Sequence, residues 1–392
     1  MSGVLTWSIV LMSLVGHGGL HIALYNRVNG FGWPRKLVKS FVKFFLATTI
    51  LIPLVVLWLD AKPLYDVISG QSDSWQAVSI WTQGYGWICL SSWILLGIPW
   101  LVWRPIFRVE WVHAPRQVRV VDVAKSVSTT LPLTTKAKWE SRLPFNQLLE
   151  LSVEEIELPV VGLPKELDGY RIAHVSDVHL TGEVHADYAK FVMQQATAAR
   201  PDLIALTGDI IDKQPCIDWL IDIFSPAEAP DGCFFILGNH DTRVVDSWET
   251  RQAMDNAGWI DLGSQVLKHS LAGVECELIG NEYPWFDRPP IEAAASDRFR
   301  LLLSHSPDQL GWARTHGVQL MLAGHTHGGQ GRLPVAGPIL SPSFHGSRYA
   351  SGDFFKPPTT MHVTRGVGGV HLLRINCRPE LSLLTLRASG SV

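Results

Sequence analysis

Two metal-capable side chains one residue apart, Asp177 and His179, end the apolar run Arg171-Ile-Ala-His-Val-Ser-Asp177-Val-His179. Four similar endings follow: Gly208-Asp209, Gly238-Asn239-His240-Asp241, Ser304-His305 and Gly324-His325-Thr326-His327. Singly, each has an ordinary reading: Asp209 as a helix cap, Asn239 as a turn residue, His305 as a satisfied polar residue before Ser306-Pro307. Five such endings in one chain, each closing an apolar run, describe a metal centre. Carboxylate, imidazole and amide donors without thiolate suit borderline ions such as Mn²⁺, Fe or Zn²⁺ over Mg²⁺ or Ca²⁺ alone.

That chemistry needs strands to carry the ligands. Tyr170–Val175, Leu203–Thr207, Cys233–Leu237, Arg300–Leu303 and Val318–Ala323 are short apolar runs that read as buried strands. Side chains alternate along a strand, so Asp177 and His179 leave its carboxyl end on one side. Open α/β sheets bind ligands at that end. Helical patterns at Ala186–Ala199 and Pro215–Phe224 alternate with the strands, and Glu154–Pro159 supplies an earlier one.

The first hundred residues are of another kind. Of 392 residues, 47% are apolar and 18% charged, with the apolar excess before residue 104. Val4–Tyr25, Phe41–Leu59 and Tyr85–Trp103 each approach the ~20 apolar residues of a spanning helix. His17 and His21, four apart in the first, would fit either a haem or metal site or a polar contact inside a helix bundle. Arg27, Arg35, Lys36 and Lys39 follow the first span, and Arg104, Arg108, Arg116 and Arg119 the third, whereas the loop between the other two has only Lys62. Positive loops stay cytoplasmic, which predicts an outward amino terminus and a cytoplasmic catalytic domain. A net charge of −3 gives no polyelectrolyte attraction, so nucleic acid is not an expected partner. The five cysteines lack CxxC spacing and read as buried thiols. The expected boundaries are 1–103 for a transmembrane anchor of about three helices, 104–147 for a juxtamembrane linker and 148–392 for the catalytic domain.

Residues from about 150 to 388 resemble the calcineurin-like metallophosphoesterase superfamily, whose five motif blocks all stand here in order. The resemblance implies a four-layer α-β-β-α sandwich. It also implies one ion held by Asp177, His179, Asp209 and His327 and a second held by Asp209, Asn239, His305 and His325, with Asp209 shared. His240 would contact the phosphoryl oxygen or protonate the leaving group, with Asp241 orienting its ring. Gly328-Gly-Gln-Gly-Arg332, Arg348-Tyr349, Thr364-Arg365 and Asn376-Cys-Arg-Pro resemble a bacterial, often membrane-associated branch. They make Arg332, Arg348 and Arg365 candidate phosphate contacts, beside their reading as structural arginines.

The metal motifs are generic, so the substrate follows from context. An enzyme tethered at the inner face of a bacterial cell membrane meets lipid headgroups, which favours a lipid-linked phosphodiester or pyrophosphate such as UDP-2,3-diacylglucosamine. Phospholipid or general phosphodiester hydrolysis is the alternative. A non-catalytic metal-binding scaffold, a nuclease and a transporter are further readings, opposed by the intact ligand set, the absence of a basic stripe and the scarcity of polar residues in the spans.

Overall fold

A computed structural model of the chain describes residues 3–72, 75–101, 110–291 and 297–390. Trp103, Arg104 and Arg108, used above to end the third span and to orient it, lie outside the described residues. Two compact units are present: residues 1–109 with Phe344–Arg348, and residues 110–343 with 349–392.

Among the described residues, the first unit holds three helices long and apolar enough to cross a membrane: Val4–Gly30, Arg35–Ile68 and Ile80–Leu101. A methyl group at Gly16 would collide with the Cys89 carbonyl, so the glycine permits close packing of the first and third helices. The second helix breaks its geometry at Asp60 (φ −131°, ψ 19°), three residues before Pro63. Proline there removes a helical N–H and crowds the preceding turn. The Asp60 carboxylate accepts from the Ser79 amide (2.9 Å) and hydroxyl (2.6 Å). His17 contacts the Tyr85 hydroxyl (2.5 Å) and the Thr49 carbonyl (3.0 Å), and His21 the His17 carbonyl (2.9 Å) and Thr48 hydroxyl (3.1 Å). All four ring nitrogens are thereby engaged within the helices. This favours the polar-contact reading of the pair over a haem site.

The second unit is built on two mixed sheets. The first runs β1-β2-β15-β3-β4-β5-β6, where β1 is Arg116–Asp122, β2 Glu150–Val161, β3 Arg171–Val175, β4 Leu203–Thr207, β5 Cys233–Ile236, β6 Ile260–Asp261 and β15 Glu380–Ser389. The second runs β13-β14-β10-β9-β8-β7, from Gly352–Lys356, Thr359–Val363, Leu320–Ala323, Phe299–Ser304, Val274–Asn281 and Val266–Leu271. The central strands are apolar on both faces because both faces are covered. Leu203, Ala205, Phe234 and Ile236 meet Leu301, Leu303, Leu320 and Leu322 between the sheets. Their neighbours Ile204, Leu206 and Phe235 pack under the helices Ala186–Ala198, Leu220–Phe224 and Ser247–Asn256. Leu302, Met321 and Ala323 pack with Leu310 and Ala313 on the far side. The order helix, sheet, sheet, helix is the four-layer sandwich expected. Each buried leucine or phenylalanine contributes about 1.5–3 kcal/mol.

One expected boundary moves. β1 pairs antiparallel with β2 through Arg116↔Ile156 to Asp122↔Glu150, so the sheet begins well before Leu148. The expected linker 104–147 also carries the helix Thr135–Glu140, capped by the Thr134 hydroxyl. Ala137 and Leu148 pack in a small cluster with Leu372. All five cysteines are buried free thiols.

Candidate metal centre

The five ligand-bearing loops leave carboxyl ends of strands in both sheets. β3, β4 and β5 deliver Asp177 with His179, Asp209 and Asn239; β9 and β10 deliver His305 and His325 with His327. The first two loops are stitched together by backbone bonds from Asp177 N to Gly208 O and from His179 N to Asp209 O, each 3.0 Å. Glycine is required where they touch. Gly208 has φ +86°, and a methyl group on it would lie 2.7 Å from Gly238 N and 2.8 Å from His305 Nδ1. One at Gly324 would strike Ser176 and the Asp177 carboxylate. Asp177, His179, Asp209, His325 and His327 themselves have φ between +50° and +69°, the left-handed region that costs a non-glycine residue energy. The surrounding hydrogen bonds and packing hold them there.

Asp177, His179, Asp209 and His327 bring ligand atoms within 4.8 Å of one another, and Asp209, His305 and His325 do the same. His179 Nε2 stands 3.5 Å from Asp209 Oδ2, and His327 Nε2 stands 3.5 Å from Asp177 Oδ1. His305 Nε2 is 3.3 Å from Asp209 Oδ1 and 3.1 Å from Asn239 Oδ1. Asp209 thus faces both groups. The Thr207 carbonyl, 2.7 Å from His305 Nδ1, can only accept, so Nδ1 carries the proton and Nε2 presents its lone pair to the cluster.

His240 and Asp241 behave differently from the expectation. Asp241 does not orient the His240 ring: its carboxylate accepts from the backbone amides of Ile210 (2.9 Å), Ile211 (2.9 Å) and Gly238 (2.7 Å). Burial, then the Asp209 charge, push its pKa up to about 7. The partner of the ring is Asp212, whose Oδ1 meets His240 Nδ1 and Arg243 Nη1 (3.1 Å) while its Oδ2 meets His179 Nδ1 (2.8 Å). Burial alone would raise the Asp212 pKa, but the charge and hydrogen bond of His179 and the bond from His240 hold it well below the usual carboxylate range. Burial pushes His240 down to about 4. Asp212 was legible, three residues after Asp209 in Gly208-Asp-Ile-Ile-Asp212, but belongs to no ligand motif.

The calcineurin-like phosphoesterase pattern matches residues 170–329 of the chain, a span that contains every one of these ligands. A metallophosphoesterase of Bacillus subtilis, YkuE, is 33% identical over 237 residues, covering 58% of this chain and 82% of that protein. The chain belongs to the calcineurin-like phosphoesterases. The phosphodiesterase YaeI of Escherichia coli is 31% identical over 55% of this chain and 82% of its own length. The UDP-2,3-diacylglucosamine pyrophosphatase LpxG of Chlamydia trachomatis is a more distant relative, 25% identical over 57% of this chain and 86% of its own length.

The donor set of this phosphoesterase fits metal ions. Asp209 Oδ2 and His325 Nε2 are buried without a hydrogen-bond partner. His179 Nε2 and His327 Nε2 face each other at 3.2 Å, and His305 Nε2 and His325 Nδ1 at 3.1 Å. Imidazole nitrogens opposed at that range need a proton or a metal cation between them, and the site can supply either. Burial, with neighbouring histidines adding to it, holds His325 and His327 well below their usual pKa, which keeps them neutral donors.

The surrounding residues shape the phosphoesterase site. Trp285 stands against the rings of His305 (5.4 Å) and His325 (4.9 Å), placing the Glu282–Phe286 loop on the core beside the centre. Glu282 is fully buried and paired with Arg251 at 2.7 Å. Arg374 is fully buried and donates to the His327 carbonyl at 3.1 Å and the Arg365 carbonyl at 2.8 Å, clamping the last ligand loop. No local sequence signal marks it. Arg365 is taken up by Glu154 (2.5 Å) and Glu380 (3.1 Å), and Arg332 by the Gly328 carbonyl (3.0 Å) and the Ser351 hydroxyl. Both line a cavity of about 320 Å³ with Gln147, Asn376, Cys377 and Arg378. Their guanidiniums brace the fold behind the His327 loop, which is the structural-arginine reading. Arg348 falls in the segment Phe344–Arg348 that clusters with the N-terminal helices.

Proposed function

We propose that the protein is a membrane-anchored phosphoesterase that hydrolyses a lipid-linked phosphodiester or pyrophosphate with two divalent ions, UDP-2,3-diacylglucosamine being the favoured substrate. The observation that carries the hydrolytic reading is the pair of facing donor groups joined by Asp209. One ion would be held by Asp177, His179, Asp209 and His327, the other by Asp209, Asn239, His305 and His325. When bound, the ions supply Lewis acidity to phosphoryl oxygens and lower the pKa of a water.

The chain's own residues supply the rest. Asp212 accepts hydrogen bonds from Nδ1 of both His179 and His240, so it fixes one ligand ring and one ring beside the substrate with a single carboxylate. A phosphate brought next to His240 favours its charged form and raises its pKa from about 4 toward neutrality. The protonated ring then donates from Nε2 to a phosphoryl or leaving-group oxygen. No covalent intermediate is needed.

The lipid-linked substrate rests on the three candidate spans in the same chain and on the likeness to the chlamydial pyrophosphatase. The likeness to the E. coli phosphodiesterase favours a second reading, hydrolysis of general phosphodiesters. The charge bias around the spans supports a cytoplasmic catalytic domain at a bacterial cell membrane. Release of UMP from UDP-2,3-diacylglucosamine by the detergent-purified protein with Mn²⁺, beside an Asn239→Ala control, tests the assignment. Turnover lost in the control supports it. Cleavage of an aryl phosphodiester without any UMP would leave the two-metal chemistry and remove the substrate.

A further inference from the structure

Three segments beside the last ligand loop are laced into one rim. Asn146 bridges Ile375, and Ile375 bridges Gly331. Backbone bonds from Gln147 to the Arg374 carbonyl (2.8 Å) and from Arg332 to the Ile375 carbonyl (3.0 Å) close the lacing. Each segment carries large apolar side chains that no part of its own unit covers. Phe145 is 85% exposed; Val335, at the tip of the hairpin formed by β11 (Arg332–Leu333) and β12 (Gly337–Pro338), is 93% exposed. Leu333, Leu373 and Trp139 add to them. Scattered exposed hydrophobics are ordinary, but five on bridged segments form a surface that seeks an apolar partner.

Lys138 and Arg142 flank Trp139 and Phe145, are exposed, and have no carboxylate partner among the described residues. Apolar and aromatic side chains edged by unpaired cations are the composition of a lipid-interface element. In sequence, residues 102–109 lead from the third candidate span to the second unit, and eight residues reach at most about 30 Å even when extended. A domain tethered that closely to a span stays within reach of headgroups.

We propose that this rim, Phe145, Leu373 and the Leu333–Val335 hairpin with Lys138 and Arg142, docks on the surface of an anionic phospholipid bilayer. The rim is one turn from chemistry: Arg332 at the base of the hairpin holds the Gly328 carbonyl, next to His327. Docking therefore holds the last ligand loop close to the headgroups. The inference rests on the membrane-anchored part of the reading above and is independent of the substrate.

The test uses the full-length chain in vesicles of phosphatidylcholine with phosphatidylglycerol. The native cysteines are buried, so Val335→Cys, Phe145→Cys and a control Glu166→Cys take a fluorophore selectively. Glu166 is exposed on the turn before β3, at the strand end away from the ligands. Quenching by doxyl-labelled lipid is expected to be several-fold stronger at 335 and 145 than at 166. Adding Lys138→Glu with Arg142→Glu should weaken it in these vesicles and leave it unchanged in pure phosphatidylcholine. Equal quenching at all three positions overturns the proposal. So does shielding at 335 and 145 that depends on protein concentration and not on lipid label, which would mean that a second copy covers the rim. Flotation of the chain with the vesicles reads anchoring by the helices separately, so its failure is distinguishable from failure of the rim.

Discussion

The two aspartates near His240 separate by what they touch. Asp212 holds the rings of His179 and His240, whereas Asp241 holds three backbone amides. Asp212→Asn should lower kcat about 10–100-fold with the melting temperature nearly kept, since residues that orient metal-ligand histidines have effects of that size. Asp241→Asn should act on stability instead, by about 1–3 kcal/mol, because one backbone donor must lose its charged acceptor. Steady-state rates beside thermal melts of both variants check the pair. His174 gives a pH dependence. Burial, then the nearby His362, hold its imidazole well below the usual range. A depressed folded pKa means that the unfolded chain takes the proton first. Its stabilising effect is full above the unfolded value near 6.5 and is lost as pH falls below it, at up to about 1.4 kcal/mol per pH unit. Melting of the metal-free protein between pH 7 and 5 should be flatter in His174→Gln, which keeps a hydrogen-bonding group for Thr207.

At the scale of elements, the ligand loops are set by glycines as much as by the strands. Gly208→Ala adds a methyl group at φ +86° against Gly238 and His305 and should cost about 1–3 kcal/mol or more. Metal titration followed by calorimetry should show weakened binding in this variant before any ligand is changed. This is also where the sequence was most readable. β3, β4, β5, β9 and β10 are apolar runs cut off by a polar ligand, so periodicity and motif coincide in them. β15 was opaque, because it inserts between β2 and β3 from the far end of the chain and no local pattern announces a non-local partner. β1 alternates as a strand should, yet its exposed outer residues conceal that it belongs to the sheet. Asp212 and Arg374 were missed for the same reason: their partners come from other loops.

For the whole molecule, the charge bias around the spans makes a directional prediction. A reporter fused after Val392 should be active only on the cytoplasmic side, and moving the charges Arg35, Lys36 and Lys39 into the connection between the second and third helices should invert or scramble that result. Activity of the reporter outside would place the centre on the opposite leaflet. The arrangement of ligands over the two sheets has a further consequence. Asp177, His179, Asp209 and Asn239 come from one sheet, and His305, His325 and His327 from the other. Each group of donors needs both, so neither sheet alone can hold an ion in full. Ions held by these donors would act as rivets across the sandwich, entering only after the two plates meet, so that tightly bound metal would certify that the chain has finished folding.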